Sequence, residues 1–256
     1  MRQTLKYSLL DDLELACANS ETSALPNLEL AIGSLGPLIQ LHRSPAKATI
    51  MAAASLDYRD FGEAVEFLDR LQGLYVNRTG SFGFAVTSGD GALALELMQR
   101  ALISINKSPL PTAAGAQAVS ALGEFDSNID RHSRREQSGF VAFEVNQQFV
   151  GLYASDLGQG MLGSLRQNPN YAKLDDSGEA LSMALREGVS SSTNPGRGMG
   201  FRPIFVGLAS HARLLRFRSD DALLEINRFG GGSPTQEIKE RPSVAGFHAF
   251  VHCTFD

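Results

Sequence analysis

Hydrophobic residues recur at helical spacing in DYRDFGEAVEFLDRLQGLY, where Phe61, Val65, Leu68, Leu71 and Tyr75 share one face. GDGALALELMQRALISI predicts a second helix after a Gly-Asp-Gly turn, and SFGFAVTS between the two alternates as a strand does. AKATIMAAASLDY fits a strand or a short helix equally. NKSPLPTAAG carries two prolines and reads as a linker. It divides the chain near residue 110 into a mixed α/β region, 1–110, of unassigned role and a second unit, 111–256.

The second unit has a clearer order. AQAVSALGEFDSNIDRHS predicts a helix with Ala118, Ala121, Leu122, Phe125 and Ile129 on one face. GFVAFEV and FVGLYAS predict a hairpin turning at Gln147-Gln148. SGEALSMALRE is a helix opened by Ser177, SSSTNPGRG a loop, and MGFRPIFVGLASHA a helix with Pro203 in its first turn. RLLRFRS and ALLEINRF read as two strands around Asp220-Asp221, GGGSPTQEIKERPS as a loop, and GFHAFVHCTF as a last strand. The expected fold class is α/β: a two-layer α/β sandwich, its sheet covered on one face by helices, with an N-terminal α/β extension or small domain.

Composition narrows the picture. A chain of 256 residues with 43% hydrophobic content can bury a core. A net charge of -5 argues against a general nucleic-acid or anionic-membrane surface. No apolar run approaches the roughly 20 residues of a membrane helix. Asp11, Asp12 and Glu14 interrupt what would be the core of an export signal. Cys17 and Cys253 lie near opposite ends, without metal or redox spacing, and read as free buried thiols. A cytoplasmic protein is the expectation.

Three constellations carry candidate chemistry. Glu124 and Asn128 stand four residues apart on one helix face, with His132 one turn further. A carboxylate there can take a proton from water or a hydroxyl, and an amide oxygen can ligate Mg²⁺. On a solvated helix face the same pattern carries no chemistry. Asp156, Gly158 and Gly160 form D-x-G-x-G at the end of a strand. That is either a plain turn, or an acid that accepts from an exocyclic amine beside glycines that admit a flat ring. Gly196-Arg197-Gly198-Met199-Gly200 precedes a predicted helix and offers backbone amides and a guanidinium to an anion. It lacks the Walker pattern.

Taken in order, ALGEFDSN, SDLGQGM and ALREGVSSSTNPGRGMGF resemble the N-box, first glycine box, and ATP lid with second glycine box of the GHKL ATPases. That family includes DNA gyrase, the MutL mismatch-repair proteins, sensor histidine kinases and anti-sigma-factor serine kinases. The resemblance covers roughly residues 113–256, and N-x-x-x-H, from Asn128 to His132, is nearest to the stand-alone bacterial members. It implies a Bergerat ATP site with ATP and Mg²⁺ as cofactors. Glu124 would act as general base, or would polarise the attacking group, and Asn128 would hold Mg²⁺. Asp156 would read the adenine amine and Met161 would line its pocket. Gly196, Gly198 and Gly200 would wrap the phosphates, under a lid from Val189 to Pro195. Two departures stand out: the family's Gly-Thr pair is Gly246-Phe247 here, and Asp126 and Ser127 replace more apolar residues.

Three functions follow from this resemblance: an ATP-hydrolysing switch, a serine/threonine protein kinase of the anti-sigma type, or a nucleotide-binding regulatory module without turnover. Each implies a protein partner or a second copy of the chain. A histidine kinase is disfavoured, since the first block shows no dimerising helix pair and its histidine is His42. Other signals are discounted. His248 and His252 read as a satisfied or exposed pair. Arg131, Arg134 and Arg135 complement a helix C-terminus. Gly230-Gly231-Gly232 reads as an inter-strand loop, and Asp57, Arg59 and Asp60 as helix capping.

Overall fold

The computed structural model describes residues 2–21, 26–31, 33–54, 56–57, 61–134, 138–184, 208, 211–228 and 233–254. Its main sheet has six antiparallel strands in the order β4-β5-β6-β7-β9-β8. These are β4 (Leu74–Val76), β5 (Phe82–Val86), β6 (Phe140–Val145), β7 (Phe149–Ser155), β8 (Ala212–Asn227) and β9 (Thr235–Thr254). A small parallel sheet joins β1 (Arg2–Thr4), β2 (Asn27–Glu29) and β3 (Leu56–Asp57).

Alternation along the strands sorts side chains to two faces. Val141, Phe143, Leu152, Ala154, Phe217 and Val251 point to one face. There they meet α5 (Ala92–Ile105), α6 (Thr112–His132), α7 (Gly160–Leu165) and α8 (Ser177–Ala184). Ala114, Ala118 and Ala121 let α6 lie close to the sheet, with Leu122, Phe125 and Ile129 filling the remaining space. Sheet and helices make a two-layer α/β sandwich.

The opposite face is covered too. Phe82, Phe84, Phe140, Ala142, Tyr153 and Phe250 pack beneath α2 (Leu35–Arg43) and α4 (Gly62–Arg70). GFVAFEV is apolar but for Glu144 because both of its faces are buried. On this second face α1 (Tyr7–Ala18) is bound through ions. Arg216 pairs with Asp11 and, at 2.8 Å, with Glu225, while Arg218 pairs with Glu14 at 2.6 Å. Another small cluster, with Leu10, Leu28 and Ile50, joins α1, β2 and α3 (Lys47–Ala53). Lys47–Ala53 thus resolves the ambiguity of AKATIMAAASLDY as a helix, followed by β3.

Three expectations are corrected. A division near residue 110 does not follow the sheet: β5 pairs with β6 from Phe82↔Glu144 to Val86↔Phe140, and α5 lies beside α6. Asp220-Asp221 does not separate two strands: β8 runs through it, with register shifts at Ser219/Asp220 and Asp220/Ala222 and Asp220 at φ 53°. The stretch read as a loop before the last strand is strand from Thr235 onward, because the long β8–β9 ladder satisfies its backbone.

Candidate functional site

β7 ends by delivering Asp156 into a buried position beside β9, where its amide donates to the Phe247 carbonyl at 3.0 Å. The carboxylate Oδ1 accepts from the Gly158 amide at 2.6 Å. Burial pushes this acid up to about 6, opposed by the Gly158 and Phe247 backbone amides and by the Arg43 guanidinium. Gly246 has φ +85° and lies against Asp156, so that a methyl there would sit 2.6 Å from the Asp156 carbonyl carbon. At Gly246-Phe247 it is therefore backbone that supports the acid.

The glycines of D-x-G-x-G face protein. A methyl on Gly160, at φ +69°, would meet Ser219 Oγ at 2.7 Å and Asp220 Oδ2 at 2.9 Å. One on Gly158 would run into the Ser133 backbone. The expectation that they make room for a ring is corrected accordingly: among the described residues, that space holds the end of α6 and the bulge of β8. Met161 donates its amide to Ser219 Oγ at 2.8 Å, and its side chain packs on the main core.

α6 is joined to this loop at its C-terminus, where helix carbonyls lack partners within the helix. Gln159 supplies two donors: its amide to Ser133 O at 3.2 Å and its Nε2 to His132 O at 2.6 Å. The His132 carbonyl is thus the atom fixed here, on a half-buried residue. Glu124 and Asn128 share a face further back along α6. Burial raises the Glu124 carboxyl, against lowering by Arg131 and by the neighbouring Asn128 amide. Arg131 stands 3.7 Å from Glu124 and also donates to Ser127 Oγ at 2.6 Å. Asn128 Nδ2 is buried with no hydrogen-bond partner among the described residues. The unusual Asp126 is buried, and Thr87 beside it counters the upward pull of burial on its carboxyl.

Sequence reasoning missed the polar groups behind Asp156. Arg43 of α2 donates from Nε to Ser155 Oγ at 2.8 Å and from Nη2 to Ser138 O at 2.9 Å. Ser155 Oγ shares a hydrogen bond with His248 Nδ1 at 2.9 Å, and His248 Nε2 lies 3.0 Å from Ala245 O. Burial holds His248 down to about 3, so the ring is neutral. His252 stacks on Phe149 and shares a hydrogen bond with the Tyr153 hydroxyl at 3.1 Å. Both histidines are structurally satisfied. Residues 43 and 248 are far apart in sequence, and no local spacing marks them as neighbours.

The structure thus brings together two of the three constellations, α6 and the Asp156 loop. Gly196, Arg197, Gly198, Met199, Gly200, the Val189–Pro195 stretch and Arg135 lie outside the described residues, as do Arg59, Asp60 and Gly230–Gly232. Among the described residues, no group of three His, Cys, Asp or Glu could hold a metal ion, and no helix is long and apolar enough to cross a membrane. Both cysteines are free, Cys253 buried and Cys17 partly exposed. No family model, no curated protein and no solved structure matches the chain.

Proposed function

We propose that this protein binds ATP with Mg²⁺ along the rim formed by α6 and the Asp156 loop. It uses the nucleotide for hydrolysis-driven switching or for phosphoryl transfer to a partner protein. One observation carries the reading: Gln159 ties the helix bearing Glu124 and Asn128 to the loop bearing a buried strand-end acid. A carboxylate and an amide on one element and a base-reading acid on another are what a nucleotide site of the GHKL type requires.

The residues present fit the ligands. A carboxylate has about four lone-pair sites, and the backbone amides of Gly158 and Phe247 leave capacity on Asp156 for an exocyclic amine. The unpartnered atom of Asn128 is the donor Nδ2, which cannot ligate a cation; the amide Oδ1 of the same side chain would offer the hard oxygen that Mg²⁺ prefers. A single protein oxygen suits an ion that keeps its waters and binds phosphates. When bound, Mg²⁺ supplies neutralisation of charge on the phosphates. Glu124 does the proton chemistry, taking a proton from water or from a partner's hydroxyl. Burial raises its carboxyl and so strengthens it as a base. Arg131 holds Glu124 in place and must yield as the proton moves.

A thermal-shift panel of ATP, ADP, GTP and no ligand, each with Mg²⁺, tests the site. ATP at a hundredfold excess over Kd should stabilise the fold by about 2.7 kcal/mol. GTP should do less, and Asp156→Asn should weaken the ATP shift. An equal shift in that variant counts against adenine reading at this acid. Phosphate release lost in Glu124→Ala supports hydrolysis. Label passed to a partner supports a kinase. Binding with neither outcome leaves a regulatory module.

A further inference from the structure

Resting on the nucleotide reading above, we propose that Arg43 of α2 is a positioning residue for Asp156, through which the N-terminal layer regulates nucleotide binding. Arg43 arrives from the opposite face of the sheet, its Cζ 5.0 Å from the centroid of the Phe140 ring. It grips the Asp156 loop on both sides. Ser155, which receives its Nε, directly precedes the acid. Ser138, whose carbonyl receives Nη2, accepts from the Leu157 amide through its hydroxyl at 3.3 Å.

Donor accounting extends the grip. A neutral imidazole has one donor and one acceptor nitrogen. Ala245 O can only accept, so His248 Nε2 donates to it and Nδ1 accepts from the Ser155 hydroxyl. The chain runs from the Arg43 N–H through Ser155 and His248 to Ala245, next to the Gly246-Phe247 backbone that supports Asp156. One turn before Arg43, α2 is tied into the N-terminal layer. Gln40 donates to Asp11 at 3.1 Å and to Glu14 at 3.2 Å. A shift of α2 therefore reaches the acid through hydrogen-bonded atoms.

The groups facing Asp156 define the electrostatics. Arg43 comes from α2, the Gly158 amide from its own loop, the Phe247 amide and neutral His248 from β9, and Ser138 from the segment before β6. Arg43 is the charged group among those acting on it. Burial raises the acid and the guanidinium opposes that. Without the cation the carboxyl would carry a proton nearer neutral pH, and a protonated carboxyl is a poorer acceptor for an amine.

The test uses the full chain and two readouts: carboxyl-carbon NMR titration of Asp156 without ligand, and ATP affinity across pH. Arg43→Gln should move the Asp156 midpoint upward and weaken ATP binding most at neutral pH. Arg43→Lys, which keeps the charge, should restore most of both. If Arg43→Gln does not fold, Ser155→Ala, which removes one arm of the grip, should weaken ATP binding in a folded protein. An unmoved Asp156 midpoint in folded Arg43→Gln overturns the proposal, as does unchanged ATP affinity. Wild-type protein that binds no nucleotide at any pH overturns the nucleotide reading, and the regulatory role with it. The titration still reports the Arg43–Asp156 link separately.

Discussion

A methyl group on Gly158 would lie 2.7 Å from the carbonyl carbon of Ser133, and closer still to its oxygen. Both partners are backbone, so neither can swing aside as a side chain would. Gly158→Ala should therefore force α6 away from the Asp156 loop, at a cost of about 1–3 kcal/mol, read by urea denaturation. Gly62 is the control. It opens α4 with nothing within 4 Å of the added methyl, so Gly62→Ala should stabilise by about 0.4–1 kcal/mol. Equal effects at the two glycines would contradict the packing described for the loop.

A second prediction concerns the ions between the layers. Glu14 is fully buried and takes Arg218 Nη1 at 2.6 Å, while Arg218 Nη2 donates to Pro242 O at 2.8 Å. Removing one partner leaves the other charge buried, so Glu14→Ala should cost about 3–5 kcal/mol. The network is incompletely satisfied, with Glu14 Oε1 and Arg218 Nε unpartnered among the described residues. An apolar pair should therefore be tolerated better than a half-pair. Glu14→Leu with Arg218→Met should be more stable than Glu14→Ala in the same denaturation assay. A double variant no better than the single would mean that the layers need these ions.

These cases show what the chain revealed locally. The β6–β7 hairpin and α6 were readable because their signals, a two-residue polar turn and a helical stripe, lie within neighbouring residues. The Glu14–Arg218 pair spans 204 residues, and nothing near either residue marks it. Asp220-Asp221 misled because two adjacent acids read as a break between two strands, whereas the structure spends them on a bulge inside one strand. The buried second face did leave a trace: GFVAFEV has no polar alternation except Glu144, which a strand with one wet face would show. D-x-G-x-G was visible as a motif, but its string could not say what would fill the space over its glycines.

Glu144 supplies the last prediction. It is buried on β6, and its Oε1 accepts from the Gly33 amide at 2.9 Å, just ahead of α2. The Leu35 amide and the Tyr153 hydroxyl, 3.3 Å from Oε2, also support it. Burial outweighs these and pushes the carboxyl from 4.5 to about 7. The folded state thus holds this proton more tightly than the unfolded chain. Stability contributed here is fully present below pH 4.5 and is lost as pH rises to about 7. His252, held down to about 4 by burial, acts oppositely and costs stability as pH falls below 6.5. Comparing Glu144→Gln with wild type cancels that shared histidine term. The variant's advantage in unfolding free energy should grow from pH 4.5 to 7 and then level off, by at most about 3 kcal/mol. A difference that stays flat across this window in denaturant titrations would mean that Glu144 folds as a carboxylate and holds α2 by charge.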